Sequence, residues 1–226
     1  MSDISPVYHV GEKIENFTLL QCLHENIHCV LWLAQQSNGD KYVLKMSTEQ
    51  QKNSGMRRLI RQEGEWLMKF KSPWIRNCLG VLENPTAQIL EYVHGKNIFE
   101  WVAHLQNQEK MPISFALWVT HEIVRALIYM KYHNTVHTDL TPDNIMLTEE
   151  GRICVIDFSF AQWPGQQWRR SNSVLYKRPA WNSPEQWLKQ HLIHSSDMYQ
   201  LGVCLWFMLT GEPPVLVEKA KKGKNL

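Results

Sequence analysis

VHTDLTPDNIML, residues 136–147, sets a carboxylate, Asp139, and an amide, Asn144, five residues apart in a polar turn. A helical segment ending near Tyr132 precedes it, and a short apolar run beginning at Ile145 follows. Two readings compete: an ordinary turn, or a site that moves a phosphate. Phosphoryl transfer asks for little covalent chemistry from protein. It needs a carboxylate near the attacking hydroxyl, oxygen ligands for magnesium and a cation on the phosphates. The chain supplies these in order. Asp139 can orient or deprotonate a hydroxyl, Asn144 and Asp157 can hold Mg2+ or Mn2+ through oxygen, and Lys45 can contact phosphates while paired with Glu63. An acidic residue at the end of the buried strand VIDF carries a desolvation cost that a metal would offset.

Outward from this turn, residues 17–92 read as strands interrupted by one helix. FTLLQCL and VLWLAQQ have strand length, and SNGD before KYVLKM puts Asn-Gly where a hairpin needs it, so three antiparallel strands are expected before residue 47. GMRRLIRQEGEWLMKF, residues 55–70, places Leu59, Ile60, Glu63, Leu67 and Phe70 at helical spacing, with KSPWI ending the helix at its proline. LGVLENPTAQILEYV reads as a second strand pair turning at Asn84 and Pro85. Helices dominate after Gly95. SFALWVTHEIVRALIYMKY, residues 114–132, opens on a serine suited to N-capping and carries Val119, Ile123, Ala126 and Met130 along one stripe. Two short strands, IML and ICVI, follow the turn, then a polar segment and an apolar helix after SSD at 195–197. The shift in composition near residues 93–97 marks the expected boundary, with an antiparallel-sheet unit at 1–93 and a mainly helical unit at 94–226.

The composition is that of an ordinary globular chain. Of 226 residues, 44% are apolar, enough for a substantial core, and 24 basic against 22 acidic residues leave no global charge that argues for nucleic acid or a membrane surface. Cys22, Cys29, Cys78, Cys154 and Cys204 are scattered and odd in number, a pattern of reduced thiols rather than disulfides or zinc. The N-terminus lacks the blocks of a secretory signal, and no apolar run is expected to span a bilayer. A soluble, cytoplasmic protein is the expectation. Trp66, Trp118 and Trp206 fall on apolar helical faces and are expected to pack rather than stack on a ligand.

The ordered motifs resemble those of eukaryotic-type protein kinases, over about residues 17–214. YVLK carries the strand lysine at Lys45, and QEGEWLMKFKSPWI carries the helix glutamate at Glu63. ILEYV resembles the hinge, with Leu90 at the gatekeeper position. HTDLTPDN resembles the catalytic loop, IDFS the DFG segment, NSPEQ the APE motif at Glu185, and SSDMYQLG the segment with the large-helix aspartate, Asp197. Each motif alone is weak; their joint order carries the reading. The resemblance implies an α+β bilobal fold and ATP-dependent transfer to Ser/Thr of a protein substrate. Leu23, Leu31, Leu90, Glu91 and Val93 would surround adenine, and Asp197 would brace the catalytic loop. Glu185 would pair with a late arginine. Glu185 and Asp197 also disfavour a small-molecule phosphotransferase.

The match departs from the family at several positions. His24, Asn26 and Cys29 stand where the family's loop has glycines, so nucleotide should be gripped less closely. Thr138 replaces the arginine that receives a phosphorylated activation segment, which implies constitutive or partner-controlled activity. Thr141 replaces a lysine and can bond but not neutralise phosphate charge. Ser159 replaces the DFG glycine, which is tolerable where φ is not positive. The chain ends 29 residues beyond Asp197. That leaves a minimal kinase, of the kind bacterial pathogens inject into host cytoplasm, a truncated one, or one whose C-lobe an activating partner completes. The departures also keep open a pseudokinase acting as a binding module.

Overall fold

A computed structural model describes residues 8–26, 29–47, 54–105, 111–166 and 179–214. Most of the polar segment that follows the two short strands, residues 167–178, and residues 215–226 lie outside these residues. The chain divides into two compact units. The first comprises residues 1–71 and 76–93, the second residues 72–75 and 94–226.

The first unit is a six-stranded antiparallel sheet with one helix. Its strands are β1 (Lys13–Ile14), β2 (Phe17–Glu25), β3 (Cys29–Gln36), β4 (Lys41–Ser47), β5 (Cys78–Glu83) and β6 (Thr86–Glu91), in the order β1-β2-β3-β4-β6-β5. The three strands expected before residue 47 are present, preceded by the short β1. Alternation decides the register: Phe17, Leu19, Trp32, Leu44 and Met46 turn to one buried cluster. The β5–β6 turn contains a cis Asn84–Pro85 peptide.

Helix α1 (Ser54–Leu67) lies on β4, β5 and β6. Ile60, Leu67 and Phe70 are buried, whereas Leu59 points to solvent at 56% exposure. The helix stops at Leu67, ahead of the expected proline, in a turn where the Met68 N–H donates to the Gly64 carbonyl. Gly64 explains how closely α1 can lie. A Cβ there would stand 2.6 Å from Val81 Cγ2 and 3.1 Å from Gln88 Cγ. Beneath the helix, the buried Gln88 amide donates to the Ile60 carbonyl at 2.7 Å.

The second unit holds β7 (Gly95–Asn97), α2 (Ile98–Leu105), α3 (Ile113–Tyr132), β8 (Ile145–Thr148), β9 (Ile153–Val155), α4 (Pro184–Trp187) and α5 (His194–Thr210). Strands β7-β8-β9 form a small antiparallel sheet. β7 and α2 had no clear signal: three residues and eight residues are too short for periodicity to stand out. Gly95, at φ 153°, lets β7 press on β8, where any Cβ would lie 2.8 Å from the Thr148 Cα.

Helix α3 packs on α5 and β9 and buries Ala116, Val119, Ile123, Ala126 and Met130. Three expectations are corrected here. The α3 N-cap position is Pro112, not Ser114, and the Pro112 carbonyl accepts from the Phe115 and Ala116 amides. Among the described residues α3 has the length and composition that could cross a membrane, a test that a buried core helix passes as well. Its contacts with α5 and β9 are those of a core helix. α5 begins at His194, so SSD forms its first turn rather than preceding it, and Trp206 faces solvent instead of packing.

Candidate active site

In the first unit, β4 delivers Lys45 and α1 delivers Glu63. The Lys45 Nζ lies 2.9 Å from both carboxylate oxygens, with side-chain exposures of only 6% and 10%. Such a shielded pair escapes most solvent screening, and its geometry fixes where the ammonium points. Of the residues expected around adenine, Leu23, Leu31, Leu90 and Glu91 sit on β2, β3 and β6, and Val93 follows β6. Leu31 is opposite Lys45 and next to β2, Leu90 is buried opposite Val43, Val93 is buried, and Leu23 is exposed. The Glu91 N–H is committed to the Asn77 carbonyl at 2.9 Å, and its carboxylate accepts from the Asn77 side chain. Where the family's glycines would stand, the Asn26 side chain approaches His24 Nε2 at 3.2 Å and accepts from the Cys29 N–H at 3.0 Å.

In the second unit, the turn after α3 becomes a braced loop. Asp197, buried in the first turn of α5, accepts the His137 N–H at Oδ2 and the Thr138 N–H at Oδ1, both at 2.8 Å. Burial pushes this carboxyl's pKa up, and the two amides and His137 offset part of the rise. Thr138 has φ 68°, a left-handed conformation rare for a β-branched residue, and it is 1% exposed. Its hydroxyl donates to the Phe160 carbonyl at 2.7 Å. The expected arginine position is therefore filled by an inward-facing hydroxyl that ties two backbone segments together.

Asp139 and Asn144 come together: the Asn144 Nδ2 donates to the Asp139 carbonyl at 2.9 Å and to its Oδ2 at 3.2 Å. That leaves the amide oxygen of Asn144 as the end able to face a cation. The Ile156 N–H donates to the Asn144 carbonyl at 2.9 Å, which sets Asp157 beside this turn. Asp157 has φ 61°, and its Oδ1 accepts from the Ser159 hydroxyl and N–H. Ser159 itself has no positive φ, so the condition for a serine at that position is met. The Asn144 and Asp157 oxygens suit a hard cation such as Mg2+, which also draws ligands from water and phosphate. Glu185 accepts from the Ser196 hydroxyl at 3.3 Å; among the described residues no arginine pairs with it.

His137 has no exposed surface and uses both ring nitrogens. Nδ1 accepts the Asp139 N–H at 3.3 Å, so Nε2 carries the proton and donates to the Ile156 carbonyl at 3.2 Å. Burial pushes its pKa below the ordinary 6.5, with Asp197 and Asp157 opposing. Below that pH the unfolded chain takes up a proton that the folded one refuses, so stability falls as pH drops from 6.5 toward the lowered native pKa. The limiting slope is about 1.4 kcal/mol per pH unit. Urea unfolding at pH 7.5 and 5.5 should show a smaller pH-dependent loss in His137→Gln than in the native sequence; equal losses would contradict this.

Sequence reasoning missed Gln186 and Gln200, which are buried beside this loop. A signal existed for Gln200: it lies one turn after Asp197 on α5, on the same face as Cys204.

A family model described as the protein kinase domain matches residues 26–226. A probable serine/threonine-protein kinase of Clostridium perfringens is 26% identical over 96% of this chain and 34% of its own length. Sperm motility kinase 1 of Mus musculus is 31% identical over 73% of this chain and 34% of its own length. Serine/threonine-protein kinase PLK4 of Danio rerio is 26% identical over 96% of this chain and 23% of its own length. The chain thus spans about a third or less of these relatives.

Proposed function

Because the chain belongs to the protein kinase family, we propose that it transfers the γ-phosphoryl group of ATP to serine or threonine hydroxyls of protein substrates. The observation that supports this reading is that each unit holds its own part of the polar set the reaction needs. Lys45 is paired with Glu63, Asp139 is held by Asn144, and Asp157 lies beside that turn.

Lys45, its ammonium fixed by Glu63, holds phosphate oxygens. Asp139 accepts a hydrogen bond from the substrate hydroxyl and takes its proton as the new O–P bond forms and the bond from the γ-phosphorus to the bridging oxygen breaks, ADP leaving. Asn144 and Asp157 would hold Mg2+, which when bound neutralises charge developing on the phosphates. Thr141 and the inward-facing Thr138 bring no cation to this loop, so charge compensation would fall on Lys45 and on the cation that Asn144 and Asp157 would hold. The names of the relatives support Ser/Thr acceptors, and the absence of a disulfide among the five cysteines fits a cytoplasmic setting.

The test incubates purified protein with labelled ATP, Mg2+ or Mn2+ and generic acceptor proteins, beside Asp139→Ala. A loose transition state asks modest work of a base, so the variant should lose about a hundredfold in kcat. Prior phosphatase treatment should leave the native rate unchanged, since Thr138 offers no phosphate receptor. Equal rates in the native and Asp139→Ala proteins would overturn the assignment. No transfer, together with no thermal shift by ATP with or without metal, would favour a pseudokinase acting as a binding module. The His24, Asn26 and Cys29 loop is the feature that favours this second reading.

A further inference from the structure

We propose that Gln186 and Gln200 form a paired amide clamp that positions Asp139, so that the loop is organised without a phosphorylated activation segment; this rests on the catalytic role proposed for Asp139. Gln200, on α5, is 1% exposed, and Gln186, on α4, is 5% exposed. Gln200 spans Asp139. Its Oε1 accepts the Leu140 N–H at 3.0 Å, and its Nε2 donates to the Thr138 carbonyl at 3.2 Å. Gln186 Nε2 donates to the same carbonyl at 2.7 Å. The two amides are joined, Gln200 Nε2 to Gln186 Oε1 at 3.1 Å, and that oxygen also accepts the Ser183 N–H at 2.8 Å.

Burying two amides is costly unless their hydrogen bonds are made, and apolar side chains of similar size would fill the space without that cost. Here the bonds are made, and they end on the backbone on both sides of one carboxylate. With Asp197 holding the Thr138 N–H, both backbone polar groups of Thr138 are fixed, which keeps a threonine at φ 68° in place. The second Gln200 hydrogen is shared with the Trp181 carbonyl at 3.3 Å, so the clamp also ties residues 181–186 to the loop. Where the resemblance expects an arginine to link these segments through a phosphate, a neutral network makes the link directly. Gln186 and Gln200 are therefore positioning residues that act through Asp139.

Gln186→Met, Gln200→Met and the double variant remove the amides at nearly constant volume. After phosphatase treatment, kcat and the KM for ATP are measured with casein as acceptor, alongside backbone hydrogen exchange of residues 136–147. Each single variant should lower kcat about tenfold with the KM for ATP within about twofold, because ATP contacts do not involve the clamp. The double should be at most about threefold worse than the poorer single, since both donors meet at the Thr138 carbonyl. Exchange at residues 137–141 should rise about tenfold or more, with the β3–β4 hairpin unchanged. Native kcat and native exchange in both single variants would overturn the clamp. So would uniform loosening of both regions with kcat and KM changing together, which is the mark of a merely structural role. Should Gln200→Met not fold, Gln186→Met, which leaves Gln200 on Leu140 and Thr138, carries the test alone. If the native protein transfers no more phosphate than Asp139→Ala, the reaction is what fails. Exchange then decides the clamp by itself: faster exchange at Leu140 in Gln200→Met supports it, and unchanged exchange overturns it.

Discussion

Asp197→Ala is expected to lose about 3 kcal/mol of stability and most phosphoryl transfer with it. Removal of the carboxylate orphans the His137 and Thr138 amides, which both donate at 2.8 Å, in a site without solvent. Each buried unsatisfied donor costs about 1–3 kcal/mol. Against this stands the relief of no longer burying a carboxylate, whose upward-pushed pKa records that desolvation. The loss should exceed the relief, because both carboxylate oxygens are used by buried donors. Thr138 at φ 68° stores about 1–3 kcal/mol and is expected to relax once its N–H is released, carrying Asp139 with it. For a domain of this size the change amounts to a fall in Tm of about 6–12 °C. Asp197→Asn should lie between the two, since its amide keeps one acceptor but sets a donor against the other N–H. Urea unfolding at pH 7.5 checks the ranking, and an alanine variant within about 1 kcal/mol of the native protein would contradict it.

The residues behind this prediction show what was readable in the sequence and what was not. Lys45, Glu63, Asp139, Asn144 and Asp157 stood out only together, because their order along the chain multiplied signals that are each weak alone. The strands of the first unit were equally readable, since Phe17, Leu19, Trp32, Leu44 and Met46 alternate on a face that must be buried. Thr138 was noticed only as a missing cation. Its actual use, a hydroxyl bonded to the Phe160 carbonyl, depends on a backbone twist that no local pattern encodes. Gln186 and Gln200 were passed over for a related reason. A glutamine near a helix start or inside an apolar helix is read as a solvated residue unless its partners are known, and those partners lie at positions 138 and 140. Leu59 and Trp206 fail in the opposite sense: helical spacing suggested burial, but their helices leave those faces open. Spacing gives a face, and tertiary contacts decide which face is covered.

Gly64→Val carries the second large effect, and its sign has to be decided between opposing terms. Glycine inside a helix costs about 1 kcal/mol relative to alanine, so propensity alone predicts that any side chain would stabilise α1. Packing opposes it. A Cβ at Gly64 would stand 2.6 Å from Val81 Cγ2, closer than real contacts allow, with Gln88 Cγ at 3.1 Å and Cys78 Sγ at 3.6 Å. Val81 is β-branched and stiff, so it cannot swing aside, and valine adds two methyl groups to the same collision. Overpacking of this kind costs about 1–3 kcal/mol. The helix can escape only by lifting from the sheet, which would pull Ile60 from the Gln88 amide and Glu63 from Lys45. Loss of the fixed ammonium should lower kcat/KM by about 10³-fold while the protein remains folded, comparable to removing one preorganised electrostatic group. Gly64→Ala should fall between the two. Trimming the obstacle separates this cause from a general loss of stability: in Gly64→Ala/Val81→Ala the 2.6 Å contact disappears, and activity should recover to within about tenfold of Val81→Ala alone. Steady-state kinetics on the four proteins checks it. A Gly64→Val protein with native kcat/KM would show that α1 does not need its close seat on β5 and β6 to hold Glu63 against Lys45.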